Sequence, residues 1–523
     1  MHLLVDADTR LSQVLAHVQP VHIVVALLVI VLISVASSSR KKEVTIVNPP
    51  AWFEPRLYKQ LGFVKHGLEI MDNARQRFSG KPFRVLTETG EVTVLAPTFA
   101  HEIRNHPSLN FRSAVLKDFH AYLPAFAPFG VLSHPSEMLQ SVVRKQLTKY
   151  LNTVTAPLAQ EASFAFELRF GNSGEWQDVV LKSAILDCVA RLSSRVFLGE
   201  ELCRNEAWLK ISTEYTVISV MAALRLNMLP SFLRPLVYLF SPECKKVSES
   251  LAKARAIMAP EIEKRRKLKA EAIANGKPVP TFNDAIDWAD SESKGMKYDP
   301  ATLQLTLSFA AIHTTTDLLT QTITMLAQHP ESIDPLRKEM IEVLTTDGWK
   351  KNALYNMKLL DSAIKETQRL KPTNSLGMRR LVEKDLQLSD GTTIPKGRRL
   401  AVDTFYYKET TEAYDNPEEF DIFRFRNLRE QPGMENKAQL VATGPYQLSF
   451  GHGRYACPGR FFAANEVKIA LCFMLLKYDW KLAPGTVTDP QTFSATMSSN
   501  PATVLQYRRR KEEIDLEALA AMN

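Results

Sequence analysis

One cysteine in this chain of 523 residues sits in a setting suited to using its sulfur. Cys457 lies within FGHGRYACPG, residues 450–459, a glycine-punctuated loop that opens onto a helix. Pro458 suits the first helical position, where its missing N–H costs nothing. The free N–H groups of Gly459 and Arg460 and the helix dipole can then face the sulfur, which favours thiolate over thiol. A thiolate held by backbone donors beside a flat apolar surface meets the needs of a haem iron with a cysteine axial ligand. In that reading Gly451 and Gly453 let the backbone pass close to a macrocycle, Phe450 shields the sulfur, and Arg454 is within reach of a haem propionate. The other readings of Cys457 are a buried structural thiol and a zinc ligand. For zinc, His452 and Cys457 supply two ligands, and no second Cys/His cluster completes a tetrahedron.

Other residues of the right type lie upstream. The spacing predicts a helix over residues 300–329, with Asp299 before Pro300 as N-cap and first-turn pair. On it Leu307, Ala310, Ala311 and Thr314 share one face. The two alanines leave room for a flat cofactor and a diatomic ligand, and Thr314 can bond back to a carbonyl one turn earlier or turn toward that ligand. Small residues packed on a neighbouring helix would look the same. His313 and Asp317 stand at i and i+4, so the pair could share a hydrogen bond and feed a water chain, or be a surface pair with no role. Glu366 and Arg369 stand three apart in KETQRL, a spacing common in solvated salt bridges. Arg424, flanked by aromatics in FDIFRF, is expected in the interior, where a carboxylate shared by two arginines has its acceptors satisfied.

Taken together, these motifs resemble those of the cytochrome P450 family of haem-thiolate monooxygenases, in that family's order and approximate spacing from about Pro50 onward. AAIHTT, residues 310–315, resembles the oxygen-activation motif, with His313 where the family usually has Asp or Glu. Glu366, Arg369 and Arg424 match the family's structural triad behind the haem. Arg380, next to Arg379 in RRLVEKD, matches a propionate-binding arginine. Arg144 matches the arginine of a W-x-x-x-R pattern whose first position here is Gln140.

The resemblance implies a mainly α cytochrome P450 fold with a small β-rich lobe, and haem b between the long helix and the Cys457 loop. It implies oxygen-dependent monooxygenation of a hydrophobic small molecule, with NADPH electrons delivered by a cytochrome P450 reductase and cytochrome b5 as an optional donor. A haem-thiolate isomerase or dehydratase would keep Cys457 but has no need of Thr314. A non-catalytic haem sensor would not combine an apolar pocket, an oxygen-activating helix and an anchor. AAIHTTT from Ala310 and FGHGRYACPGRFFAANEVK ending at Lys468 resemble the fungal branch of ent-kaurene oxidases and indole-diterpene and meroterpenoid oxygenases. That implies a terpenoid substrate in secondary metabolism, with a polyketide or alkaloid second.

The elements that must carry these groups follow from length and pattern. A 45% hydrophobic chain of this length can bury a large core, and without a repeat or glycine/serine linker a single domain over residues 56–523 is expected. The formal charge of +8 is not gathered into a long run, which argues against nucleic-acid binding. Five irregularly spaced cysteines suit a reducing compartment. Residues 21–36, VHIVVALLVIVLISVA, are expected to form a single-pass anchor after a short luminal segment, residues 1–20. Arg40, Lys41 and Lys42 would keep the body cytosolic, and the short span suits the endoplasmic reticulum. A basic and Pro-rich linker over residues 37–55 is expected to act as a stiff hinge. β-strands are expected over residues 82–95 and a hairpin at SDGTTIPKG, with helices over residues 136–161 and 179–198. The apolar stretch over residues 208–240 reads either as core or as a lipid-facing lid.

Overall fold

Five helices position the site: α1 (Leu181–Leu198), α2 (Glu206–Asn227), α3 (Pro300–Gln328), α4 (Lys358–Leu370) and α5 (Arg460–Lys477). They belong to a computed structural model that describes residues 44–405 and 414–521. The α3 helix begins where the sequence predicts, with Pro300 in the first turn and the Asp299 carboxylate accepting the Ala301 N–H at 3.0 Å. It packs against α1, α2, α4 and α5, so it is buried on nearly every side. Its threonines are compatible with that burial because their hydroxyls bond back one turn: Thr320 to the Thr316 carbonyl, Thr322 to Leu318 and Thr324 to Thr320. The exception is the stretch from Phe309 to Thr314, where Ala310 and Thr314 are exposed. That break in burial marks the site.

The β-rich lobe is a five-stranded sheet in the spatial order Phe83–Thr87, Gly90–Leu95, Arg399–Asp403, Leu376–Val382, Leu109–Asn110. The predicted hairpin forms between Leu386–Gln387 and Thr393–Ile394. Residues 44–48, placed in the linker by sequence, do not hinge. The Val47 N–H donates to the Arg84 carbonyl and the Arg84 N–H to the Thr45 carbonyl, both at 2.8 Å, while Asn48 accepts from the Leu86 N–H. The edge strand offers unpaired backbone groups, and the segment takes them up. The folded body therefore starts before residue 56.

The anchor expected over residues 21–36 lies outside the described residues, as do residues 1–20 and 37–43. Among the described residues no helix is long and apolar enough to cross a membrane. The apolar stretch over residues 208–240 divides. Trp208, Tyr215 and Leu226 are buried on α2, whereas Phe232 and Phe240 beyond it are 78% and 79% exposed.

Glu366 on α4 carries the other long-range constraint. It is completely buried, accepts two 2.7 Å bonds from Arg369 in a bidentate pair, and accepts a third from Arg424 at 3.0 Å. Arg369 and Arg424 both reach the Glu419 carbonyl, and Arg369 also reaches that of Pro417, so the pair clamps the segment leading toward the Cys457 loop. Removing one partner of such a cluster strands a buried charge at a cost of about 3–5 kcal/mol. Arg369→Ala should therefore lose folded holoprotein, read as soluble yield and haem-to-protein ratio. Arg369→Lys should rescue little because the bidentate geometry is lost. A soluble, haem-loaded Arg369→Ala protein would refute this role.

Candidate active site

The loop that carries Cys457 closes on itself, with the Cys457 N–H donating to the Phe450 carbonyl at 2.7 Å. Gly451 has φ of 65° and Gly453 of 75°, which favour glycine. Gly453 serves packing as well. A Cβ there would lie 2.5 Å from the Arg104 Cβ and 2.7 Å from its carbonyl oxygen, so the helix end at Arg104 rather than a macrocycle excludes a side chain. Pro458 stands in the turn before α5, which begins at Arg460, two residues later than the sequence suggests. The N–H groups of Gly459 and Arg460 do bond to the sulfur, as expected.

Their effect on the thiol is smaller than the sequence reading supposes. Burial pushes the Cys457 thiol up, and the two N–H groups with the Arg460 charge only partly offset it. By itself the loop holds a thiol, and a cation bound to the sulfur would remove the proton outright.

Arg380, Arg454 and Arg144 come together beside this loop. Arg380 falls on the inward face of the strand Leu376–Val382, whose residues alternate between buried and partly exposed, so strand parity selects it over Arg379. The Arg380 and Arg454 guanidinium groups lie 4.7 and 4.5 Å from the Tyr455 ring centroid. The Arg144 guanidinium donates to the Arg454 carbonyl at 2.8 Å. Arg454 itself donates to the Leu109 carbonyl and the Tyr455 hydroxyl. Nε and Nη2 of Arg380 are buried without a hydrogen-bond partner, and burial draws its pKa down to about 10. A buried guanidinium with free donors fits an entering carboxylate.

On α3 the Thr314 hydroxyl donates to the Ala310 carbonyl at 2.8 Å and lies 3.2 Å from that of Ala311. With its proton directed into the helix, its lone pairs face the accessible side beside Ala310 and Ala311. The hydrogen bond suggested between His313 and Asp317 does not form. His313 Nε2 is 2.9 Å from the Thr213 carbonyl on α2, and Asp317 accepts from the Ser499 N–H and hydroxyl at 2.7 and 2.8 Å, with Lys182 at 3.6 Å. Each side chain is held by a different neighbouring segment, and that competition was invisible in the i, i+4 spacing.

Two features escaped the sequence reading. Phe119 stacks on Phe129 at 4.2 Å, and Phe309 meets both edge-on, which makes an aromatic wall beside Ala310. Glu466 on α5 is fully buried, accepts the Ser193 hydroxyl at 2.7 Å, and is pushed up to about 8 by burial. No local spacing signalled either contact, since both join segments far apart in the chain.

The comparisons agree with this geometry. The family description Cytochrome P450 matches residues 49–506. The chain is 44% identical to cytochrome P450 monooxygenase hepE of Aspergillus oryzae, over 93% of this chain and 89% of that protein. It is 45% identical to cytochrome P450 monooxygenase 1 of Gibberella fujikuroi, over 83% of this chain and 99% of that protein.

This chain belongs to the cytochrome P450 family.

The retinoic acid bound cyanobacterial CYP120A1 shares the fold, with a TM-score of 0.65 at 17% identity, over 89% of this chain and all of that one. As a cytochrome P450 monooxygenase the protein uses haem b, with electrons from NADPH delivered through a reductase. The residues present fit that group: a partly buried sulfur with two N–H groups directed at it, a buried guanidinium with two unpartnered nitrogen atoms, and accessible small residues on α3.

Removing the sulfur in Cys457→Ala should abolish the thiolate-type Soret band of the reduced carbon monoxide complex. Arg380→Leu should keep that band but lose haem to an acceptor protein about tenfold faster or more, one charge-assisted hydrogen bond being at stake. A normal band in the first variant, or unchanged transfer in the second, would refute the respective assignment.

Proposed function

We propose that this monooxygenase oxidises a polycyclic terpenoid in fungal secondary metabolism, working at the cytosolic face of the endoplasmic reticulum. The observation that carries the substrate class is the character of the accessible stretch of α3. Leu307, expected on this face, is buried, but Phe309, Ala310 and Ala311 are apolar, the Phe119–Phe129–Phe309 wall is closely packed, and Thr314 adds a single hydroxyl. Such a lining favours a rigid hydrocarbon skeleton over a charged ligand. Residues 374–377 contribute little to such a lining. Ser375 and Leu376 are buried in the sheet, and a Cβ on Gly377 would lie 2.5 Å from the Thr404 side chain, so Asn374 is left as the half-buried polar group there. The resemblance of AAIHTTT and the Cys457 loop to terpenoid oxygenases points the same way, as does the fungal origin of the relatives.

In this reading Cys457 ligates the haem iron, and Arg380, Arg454 and Arg144 hold the propionates. Haem, when bound and reduced, supplies oxygen activation and insertion of one oxygen atom into a C–H bond. The chain's own part is positional. Phe450 shields the sulfur from water, the apolar wall orients the hydrocarbon, and Thr314 Oγ1 accepts a hydrogen bond and so holds a proton at that atom. The Glu366 cluster braces the loop from behind.

Coexpression with a fungal reductase and mass spectrometry on diterpene, indole-diterpene and meroterpenoid scaffolds tests the substrate. A spin-state shift and an oxygenated product are expected with a terpenoid, whereas turnover of a polyketide or alkaloid alone would overturn the assignment. In the same assay Thr314→Ala should keep its haem but send more NADPH electrons to peroxide, and unchanged coupling would make Thr314 a packing residue.

For the membrane, residues 21–36 would be the anchor, with exposed Phe232 and Phe240 as a secondary contact. Deleting residues 1–42 should release most of the protein from microsomes. Complete retention in high salt would place the anchor elsewhere.

A further inference from the structure

His313 occupies the position at which the family usually carries an acid, and its neighbours explain why an acid would not serve here. Its Nε2 faces the Thr213 carbonyl oxygen at 2.9 Å. A carbonyl oxygen only accepts, so Nε2 carries the proton and the imidazole donates. A carboxylate in its place would set lone pairs against lone pairs. Burial keeps His313 below its usual pKa, and a neutral ring with Nε2–H makes the bond fully. Asp317, one turn on, is committed to Ser499 and Lys182 and does not compete for the ring.

The bond joins two elements with different duties. The helix α3 is held by the core along nearly all of its length. By contrast α2 runs on into the exposed segment that carries Phe232 and Phe240, and it packs on α3, meeting it at His313, the residue before exposed Thr314. Thr213 offers α3 no competing side-chain bond, because its hydroxyl folds back onto the Leu209 and Lys210 carbonyls. The Thr213 carbonyl has a second lone pair free for an outside donor even within a helix.

We propose that His313 is a positioning residue whose Nε2–H ties α2 to α3 next to Thr314, holding α2 closed over the substrate space, and that it does not relay protons. The assignment is independent of which substrate is turned over. Tether and relay make opposite demands on a replacement: glutamine can donate but not titrate, and glutamate can titrate but, ionised, cannot donate.

The test uses full-length holoenzyme with 4-phenylimidazole as a haem-ligating probe, its release followed by stopped flow, together with peroxide formed per NADPH consumed with reductase present. The parent, His313→Gln, His313→Glu and His313→Ala are compared, with the carbon monoxide spectrum confirming folded haem protein. The tether predicts release from His313→Gln within about twofold of the parent, and from His313→Glu and His313→Ala about fivefold to tenfold faster, the scale of one lost hydrogen bond. A relay predicts parent-like behaviour for His313→Glu and raised peroxide for His313→Gln. That result, or equal release from every variant, overturns the proposal. Should His313→Ala not fold, the Gln and Glu pair decides.

Discussion

A carboxylate at zero exposure must be neutralised or paired, and the fold resolves Glu366 by drawing two guanidinium groups onto it. That requirement ties α4 to the irregular segment from Pro417 to Phe423, which has no helix or strand of its own to fix its path before the helix Arg424–Arg429 begins. The same helix repeats the device one turn away. Asp361 accepts from Lys468 on α5 at 2.6 Å, from the Leu440 N–H at 2.7 Å, and from Arg429. Buried ion pairs of this kind add little net stability over an apolar core. They specify which segments meet, because every alternative packing strands a charge. The approach to the Cys457 loop thus rests on electrostatic satisfaction more than on apolar burial.

Around the site the balance is deliberately incomplete. Cys457 is a partly buried thiol whose neighbouring N–H groups and Arg460 charge favour an anion, yet desolvation outweighs them. Arg380 is a buried cation with two unpartnered nitrogen atoms. A protein that satisfied both internally would be more stable as a bare chain and would have nothing to hold an iron macrocycle with two carboxylates. The unpartnered guanidinium is complementary to a carboxylate and the sulfur to a metal cation, and haem b carries both.

The α3 helix shows the same economy in packing. Threonines folded back onto the helix let it run buried through the middle of the molecule, and burial lapses where small residues and one hydroxyl are needed. The side chains that flank that opening, His313 and Asp317, serve to bind neighbouring segments. The accessible stretch of α3 is consequently held from α2 on one side and from the Ser499 segment on the other.

Local chemistry was legible in the sequence because it depends on short spacing. The cysteine loop with its two N–H donors, the Asp299–Pro300 helix start, the Glu366–Arg369 spacing and the hairpin at residues 386–394 are each set by groups a few residues apart. Other outcomes depended on what arrives from far along the chain. Strand parity chose Arg380 over Arg379, an open sheet edge captured residues 44–48, and the Thr213 carbonyl and Ser499 drew His313 and Asp317 apart. The upward push on the Cys457 thiol likewise comes from desolvation, a property of the whole fold that no ten-residue motif contains. Sequence determined which groups exist and which near neighbours they have, while the tertiary structure decided which competing partner each polar group takes, because a buried donor or acceptor must be satisfied wherever the chain provides a match.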